Sequence, residues 1–180
     1  MSIEVEKKYR LTREQHAELI RRLRESDATE EGEEFEENTL YAGGNLDSSK
    51  QVLRLRRVGS RAILTYKERY PSSSAIRRQR EDETEVKDAE TLSAILDALG
   101  FKPALRYEKR RATWRFENAE VVVDELPFGF FAEIEGEENA IREVEEQLGL
   151  ADVEAEMATY PALTRRFGVK RDGVIEARFA

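Results

Sequence analysis

The 180-residue sequence contains no cysteine, which excludes a disulfide framework and a thiolate metal site. Its one histidine, His16, falls in a polar helical stretch and reads as a solvated side chain, not a catalytic base. No apolar run approaches the roughly 20 residues needed to span a bilayer. Residues 2–10 carry too much charge for a signal peptide and lack its apolar core, so the expectation is a soluble cytoplasmic protein. Cations are in deficit. Against 38 Asp and Glu there are 30 Lys and Arg, for a net charge of −8, a poor balance for a general nucleic-acid binder. A small anionic ligand is not excluded, because local clusters set the local potential.

What the chain does have is charge, 38% of its residues against about 25% in an ordinary globular domain. Either the surface is very charged or some charge lies inside. The apolar periodicity decides where the elements are. Residues 3–11 alternate as a strand, and Thr12 with Gln15 forms a capping-box signal for a helix carrying Leu19, Ile20 and Leu23. The acidic stretch 30–37 reads as a loop that runs into a strand over 35–41, and 43–49 as a second loop. Strands follow at 52–57 and 61–68 around a Val58-Gly59-Ser60 turn, then a loop at 71–74 and a charged strand at 77–86. Asp88 opens a helix closed by Gly100. Strands at 101–116, 120–126 and 130–135 precede helices at 139–148 and 159–167. Roughly eight strands in hairpin-like succession and four helices, with no repeat or long linker, predict one α+β domain over 1–180 with a largely antiparallel sheet. Eight strands suffice to close a barrel.

The informative feature is charge at every second position, which places like residues on one face of a strand. Glu4, Glu6 and Lys8 share a face, as do Arg54 and Arg56, Glu81, Glu83 and Glu85, Lys109 and Arg111, and Glu133 and Glu135. Val5 and Tyr9, or Leu53 and Leu55, occupy the opposite faces. A half-solvated sheet gives the same alternation strand by strand, but here the polar face is almost wholly charged and sorts into carboxylate strands and guanidinium or ammonium strands. If the charged faces line a lumen, their repulsion and lost hydration demand compensating ions. Carboxylates hold hard cations such as Mg²⁺ or Mn²⁺. Arginine forks grip phosphate oxygens, and lysine supplies a point charge. A metal–polyphosphate complex meets both demands.

Glu4-Val5-Glu6-Lys7-Lys8 resembles the Glu-x-Glu-x-Lys signature of the CYTH, or triphosphate tunnel metalloenzyme, superfamily. That group includes class IV adenylyl cyclases, thiamine triphosphatases, inorganic triphosphatases and the fungal RNA triphosphatases. The resemblance continues in order along the chain. Leu53-Arg54-Leu55-Arg56 is similar to the family's paired-arginine strand, Lys67 to the lysine of the next, and Glu83 and Glu85 to its acidic fifth strand. Lys109 and Arg111 resemble the basic pair after the central helix. Asp124 and then Glu133-Ile134-Glu135 resemble the closing acidic strands, and Thr159-Tyr160-Pro161-Ala162-Leu163 the start of a C-terminal helix. One departure stands out: Thr39-Leu40-Tyr41-Ala42-Gly43-Gly44 lacks the aspartate that many members carry at the end of the second strand.

The resemblance implies an eight-stranded antiparallel barrel open as a tunnel, with helices packed outside. It implies metal ligands at Glu4, Glu6, Glu133 and Glu135, with Asp124 supporting them, and a phosphate grip from Arg54, Arg56, Lys67, Lys109 and Arg111. Lys8 would touch phosphate or place the attacking water, and Glu83 and Glu85 would support the metal or nearby basic groups in catalysis. Mg²⁺ or Mn²⁺ is the implied cofactor. The expected activity is hydrolysis of inorganic triphosphate, thiamine triphosphate or ATP. Cyclisation of ATP to cyclic AMP and pyrophosphate at the same site, or polyphosphate binding without turnover, are the alternatives. The sequence leaves the oligomeric state open, a homodimer included.

Overall fold

Alternating charge and apolarity resolves into strands that keep their charged faces together. The computed structural model describes residues 2–71 and 74–180, so part of the loop expected at 71–74 lies outside the described residues. In chain order the elements are β1 (Ser2–Leu11), α1 (Arg13–Glu25), β2 (Thr29–Gly43), β3 (Gln51–Val58), β4 (Arg61–Arg69), β5 (Ile76–Val86), α2 (Ala89–Ala98), β6 (Phe101–Phe116), β7 (Ala119–Leu126), β8 (Gly129–Gly136), α3 (Glu138–Gln147), α4 (Tyr160–Phe167), β9 (Val169–Arg171) and β10 (Val174–Ala177). Strands run in the order β2-β3-β4-β5-β1-β8-β7-β6, and a β2–β6 pairing closes the circle. Every pairing within it is antiparallel. The fold is therefore the expected α+β arrangement, a closed eight-stranded antiparallel barrel with four helices. No helix among the described residues is long and apolar enough to cross a membrane.

Closure leaves no free barrel edge, and the period of two assigns each strand an inside and an outside. Outside, Val5, Tyr9, Val121, Val123, Ala132 and Ile134 pack under Leu19 and Leu23 of α1 and Ile141 and Val144 of α3. Leu53, Leu55, Ala62 and Leu64 pack under Leu92 and Leu96 of α2. Leu19 and Leu23 are fully buried, worth roughly 1.5–3 kcal/mol each. The Thr12 hydroxyl accepts from Gln15 N, and the Thr12 N–H donates to Gln15 Oε1, both halves of the expected capping box. α4 seats Tyr160 and Leu163 against Leu40, Leu105, Tyr107 and Phe131. His16 is not simply solvated: its ring lies 4.5 Å from that of Phe130.

Two expectations need correction. The acidic stretch 30–34 is strand, not loop, because β6 runs antiparallel beside it and pairs its backbone, with Glu34 opposite Arg111. Arg115 Nε lies 3.3 Å from Glu31 and Arg61 Nη2 lies 2.5 Å from Glu34, so the partner strands neutralise what looks unpaired in isolation. β9 and β10 are also additional. Asp172 and Gly173, with φ of 48° and 85°, form a two-residue hairpin turn, and β10 then pairs in parallel with β6.

Candidate functional site

The inward faces enclose a cavity of about 640 Å³. β1 and β8 contribute its acidic strip, with Glu6 opposite Glu135 and Lys8 opposite Glu133 in the ladder. β3, β4 and β6 contribute its basic wall of Arg54, Arg56, Lys67, Lys109 and Arg111. Of the residues proposed from sequence, Glu4, Glu6, Lys8, Arg54, Arg56, Lys67, Glu83, Lys109, Arg111, Glu133 and Glu135 all line this one space. Asp124 and Glu85 do not.

Asp124 is completely buried behind the wall. It accepts from Arg111 Nε at 2.8 Å, from Arg111 Nη2 at 2.6 Å and from the Tyr160 hydroxyl at 2.7 Å. Its part is to fix the Arg111 fork, whose guanidinium therefore stays charged despite burial. Glu85 is exposed, outside the cavity. The fifth strand's lumenal carboxylates are instead Glu81 and Glu83, set by the pairs Lys67–Glu81 and Thr65–Glu83. Glu83 accepts from Thr65 Oγ1 at 2.6 Å and from Arg56 Nη2 at 3.1 Å. Burial would raise its pKa, but these donors outweigh burial and hold it down.

The acidic strip is internally strained. Burial and the neighbouring Glu133 carboxylate push Glu6 up; burial, Glu4 and Glu120 push Glu135 up to about 7. Glu133 is buried too, but Lys8 at 3.0 Å and Arg111 at 2.9 Å hold it well below the carboxylate range. Glu4 and Glu81 both reach Lys67 Nζ, at 2.8 and 2.7 Å. Burial and its hydrogen bond with Glu4 push Glu81 up to about 8, whereas that bond and the Lys67 ammonium hold Glu4 down despite burial. In the basic wall, burial and Arg111 push Lys109 down to about 8.

Sequence reasoning missed several lumenal groups. Glu36, 1% exposed, stands inside the basic wall, 3.4 Å from Lys109 and 3.6 Å from Arg56. Arg77 and Gln79 extend the lumenal face of β5, and the same period of two, continued backward from Glu81, points to both. Tyr160 turns its ring to the lumen, with Lys8 Nζ 3.8 Å and Lys109 Nζ 5.5 Å from its centroid. Nothing in the spacing marks Glu36: it falls at the start of the strand expected over 35–41, but its face continues as Asn38 and Leu40, with no second charge.

Among the described residues, no three carboxylates or imidazoles converge closely enough to hold a metal ion as they stand, since lysine and arginine engage three of the four strip carboxylates. The donor chemistry nonetheless fits. Glu4, Glu6, Glu133 and Glu135 are oxygen donors on two adjacent strands, and the raised pKa of Glu6 and Glu135 reflects burial together with carboxylate crowding, costs that a hard divalent cation relieves.

A family profile described as the CYTH domain matches residues 2–158. Among solved structures, the PH1012 protein of Pyrococcus horikoshii OT3 is 27% identical, with 84% of this chain and 94% of that one covered and a TM-score of 0.73. The PH1819 protein of the same organism is 28% identical, with 91% and 98% covered and a TM-score of 0.71. The adenylyl cyclase homologue HpAC1 from Hippeastrum, described as having a dominant triphosphatase activity, is 20% identical with 91% and 95% covered and a TM-score of 0.72, a likeness of fold. No curated protein matches the chain. CYTH proteins are typically triphosphatases or cyclases and are generally metal-dependent. A profile that spans the signature strand, the three basic strands of the lumen and the closing acidic pair places this chain in the CYTH family.

Proposed function

We propose that this protein is a divalent-metal-dependent phosphohydrolase that binds inorganic triphosphate, or an organic or nucleoside triphosphate such as thiamine triphosphate or ATP, inside the barrel and transfers its terminal phosphoryl group to water. The observation that carries this reading is on β3. The Nε groups of Arg54 and Arg56 are buried and have no acceptor among the described residues. A buried unmet donor on a cationic side chain is costly, and here two of them adjoin the lumen beside Lys67, Lys109 and Arg111. A phosphate oxygen is the acceptor their geometry suits.

In this reading Arg54, Arg56 and Lys67 hold the body of the triphosphate, and Lys109 and Arg111 complete the grip. Bound at Glu4, Glu6, Glu133 and Glu135, Mg²⁺ or Mn²⁺ would supply charge neutralisation at phosphoryl oxygens and a more acidic water. Lys8 is 3% exposed and held between Glu133 and the Tyr160 ring, a fixed point charge beside that water or the phosphoryl group it attacks. Asp124 and Glu83 keep the arginines oriented, which is how such sites gain rate from positioning. Glu85 has no part.

The test is product analysis with Mg²⁺ or Mn²⁺ and tripolyphosphate, thiamine triphosphate or ATP. Orthophosphate release is expected from at least one of them. Cyclic AMP with pyrophosphate from ATP would replace this reading with a class IV adenylyl cyclase, and tight binding without any product would replace it with a binding module.

A further inference from the structure

The α4 end of the cavity holds cations that the phosphate wall does not use. Arg77, near the start of β5, lines the lumen with its side chain 15% exposed. Its Nε and Nη2 are both buried and lack a hydrogen-bond acceptor among the described residues. Glu6 Oε1 lies 3.3 Å from Nη2, close enough to attract but not aligned to bond. Arg69, the last residue of β4, lines the same space. It makes no ion pair among the described residues, and its side-chain bond is a donation to Thr159 Oγ1 at 3.4 Å. Burial and Arg77 push the Arg69 pKa down even though Glu6 opposes them, so one carboxylate serves both guanidinium groups. Gln79 does not supply one: its amide donates to Glu4 at 2.8 Å.

This cluster continues the phosphate wall. Arg69 follows Lys67 on the same face of β4, roughly 6.6 Å further along the strand, a distance that one or two more phosphoryl groups bridge. A ligand that satisfies both must be a linear polyanion running along the tunnel toward α4. A nucleoside or thiamine moiety at that end would bring no acceptors of matching charge to the two guanidinium groups.

We propose that Arg69 and Arg77 form a further phosphoryl subsite at the α4 end of the tunnel, so that the protein takes linear polyphosphates of four or more phosphoryl groups in preference to triphosphate. The inference rests on the reading of Arg54, Arg56 and Lys67 as the phosphate grip. Each added phosphoryl group gains charge-assisted hydrogen bonds from guanidinium forks otherwise left unsatisfied.

The experiment compares tripolyphosphate with tetrapolyphosphate by isothermal titration on the metal-free protein, wild type beside Arg69→Gln and Arg77→Gln. Tetrapolyphosphate should bind about tenfold more tightly than tripolyphosphate to wild type, and each variant should bring that ratio toward one. Arg69→Lys, which keeps the charge and loses the fork, should fall between. Circular dichroism checks the fold; if Arg77→Gln does not fold, the Arg69 variants decide alone. A wild-type ratio near one, or variants that weaken both probes equally, overturns the subsite. Phosphate release with Mg²⁺, measured in parallel, separates the two readings. Turnover with a ratio of one sinks the subsite alone, whereas a high ratio without turnover of any substrate leaves the subsite standing and sinks the hydrolase.

Discussion

Neutralising Glu36 tests whether the lumen is a basic wall waiting for an anion. Glu36 is 1% exposed, with Lys109, Arg56 and Arg111 within 3.4, 3.6 and 3.9 Å. Burial alone would raise its pKa, but these three cations hold the carboxyl at about 2 rather than 4.5. At 1.36 kcal/mol per pH unit that displacement corresponds to roughly 3 kcal/mol, the low end of the ~3–5 kcal/mol lost when one partner of a buried pair is removed. The ammonium side of the same pair points the other way, since Lys109 is pushed down to about 8 by burial and Arg111. We take the lower figure for that reason, and because Lys109 keeps Asp124 at 3.5 Å. For a chain of this size, Glu36→Gln should lower Tm by about 6–12 °C at pH 7. Tripolyphosphate should then raise the variant's Tm more than the wild type's, by mass action on a tighter anion site. The sign with pH follows from a depressed pKa: the Glu36 contribution is complete above pH 4.5 and is lost as pH falls toward 2, so the gap between wild type and variant closes over that window. Thermal melts in phosphate-free buffer, with and without tripolyphosphate, measure all of this. A variant Tm equal to wild type, or equal rescue of both proteins, would refute the reasoning.

Glu6→Gln should lower metal-dependent turnover by more than the roughly 10–100-fold that loss of an outer-shell partner costs. Because its charged form is already disfavoured, the variant should melt no earlier than wild type; unchanged activity sinks Glu6 as a ligand. Mn²⁺ must displace the proton that Glu135 holds, so Mn²⁺ affinity by calorimetry should climb as pH rises to about 7 and then level. Glu135→Gln should flatten the climb, since Glu135 sits at about 7, and a pH-independent wild type would contradict the assignment. Arg56→Ala removes the guanidinium that reaches Glu83 at 3.1 Å and should raise the KM for tripolyphosphate about 10–100-fold with a smaller effect on kcat. An unaffected KM removes Arg56 from the grip.

Alternation made most of the barrel legible. A strand such as Leu53-Arg54-Leu55-Arg56 can satisfy both halves of its pattern only with leucines under a helix and arginines in company, and α2 and the lumen supply those surroundings. Alternation does not fix how high along a strand the site lies. On β5 it offers 77, 79, 81, 83 and 85 equally, and only the pairing of Lys67 with Glu81 decides that Glu85 falls outside. Asp124 illustrates the same gap from another side. Its inward face was readable, but Tyr160, which donates to it at 2.7 Å from α4, lies far along the chain and completes a network no local pattern encodes. Glu36 was hidden because its face of the expected strand continues as Asn38 and Leu40, and only the cations that β3 and β6 bring beside it give the lone carboxylate a role.

The ion pairs of the lumen carry one more consequence. Lys67 holds Glu4, Lys8 holds Glu133, and Arg77 lies beside Glu6, while Glu83 and Glu36 hold Arg54 and Arg56. The protein's own cations thus stand where a metal would bind, and its own anions stand among the phosphate-binding groups. A metal alone releases lysines and arginines into a cavity with too few acceptors. A polyphosphate alone draws those cations away and leaves the carboxylates crowded. Each ligand therefore removes a cost of binding the other, and linkage requires the effect to be reciprocal. Mn²⁺ should bind about 5–150-fold more tightly, the usual range of such couplings, in the presence of a non-hydrolysable triphosphate analogue. The analogue should gain by the same factor from Mn²⁺ once their complex in free solution is subtracted. Lys67→Gln, which releases Glu4 from its ammonium partner, should strengthen Mn²⁺ binding in the absence of the analogue and shrink the coupling. Independent binding of the two ligands in the wild type would show that these internal pairs are not the groups the ligands displace.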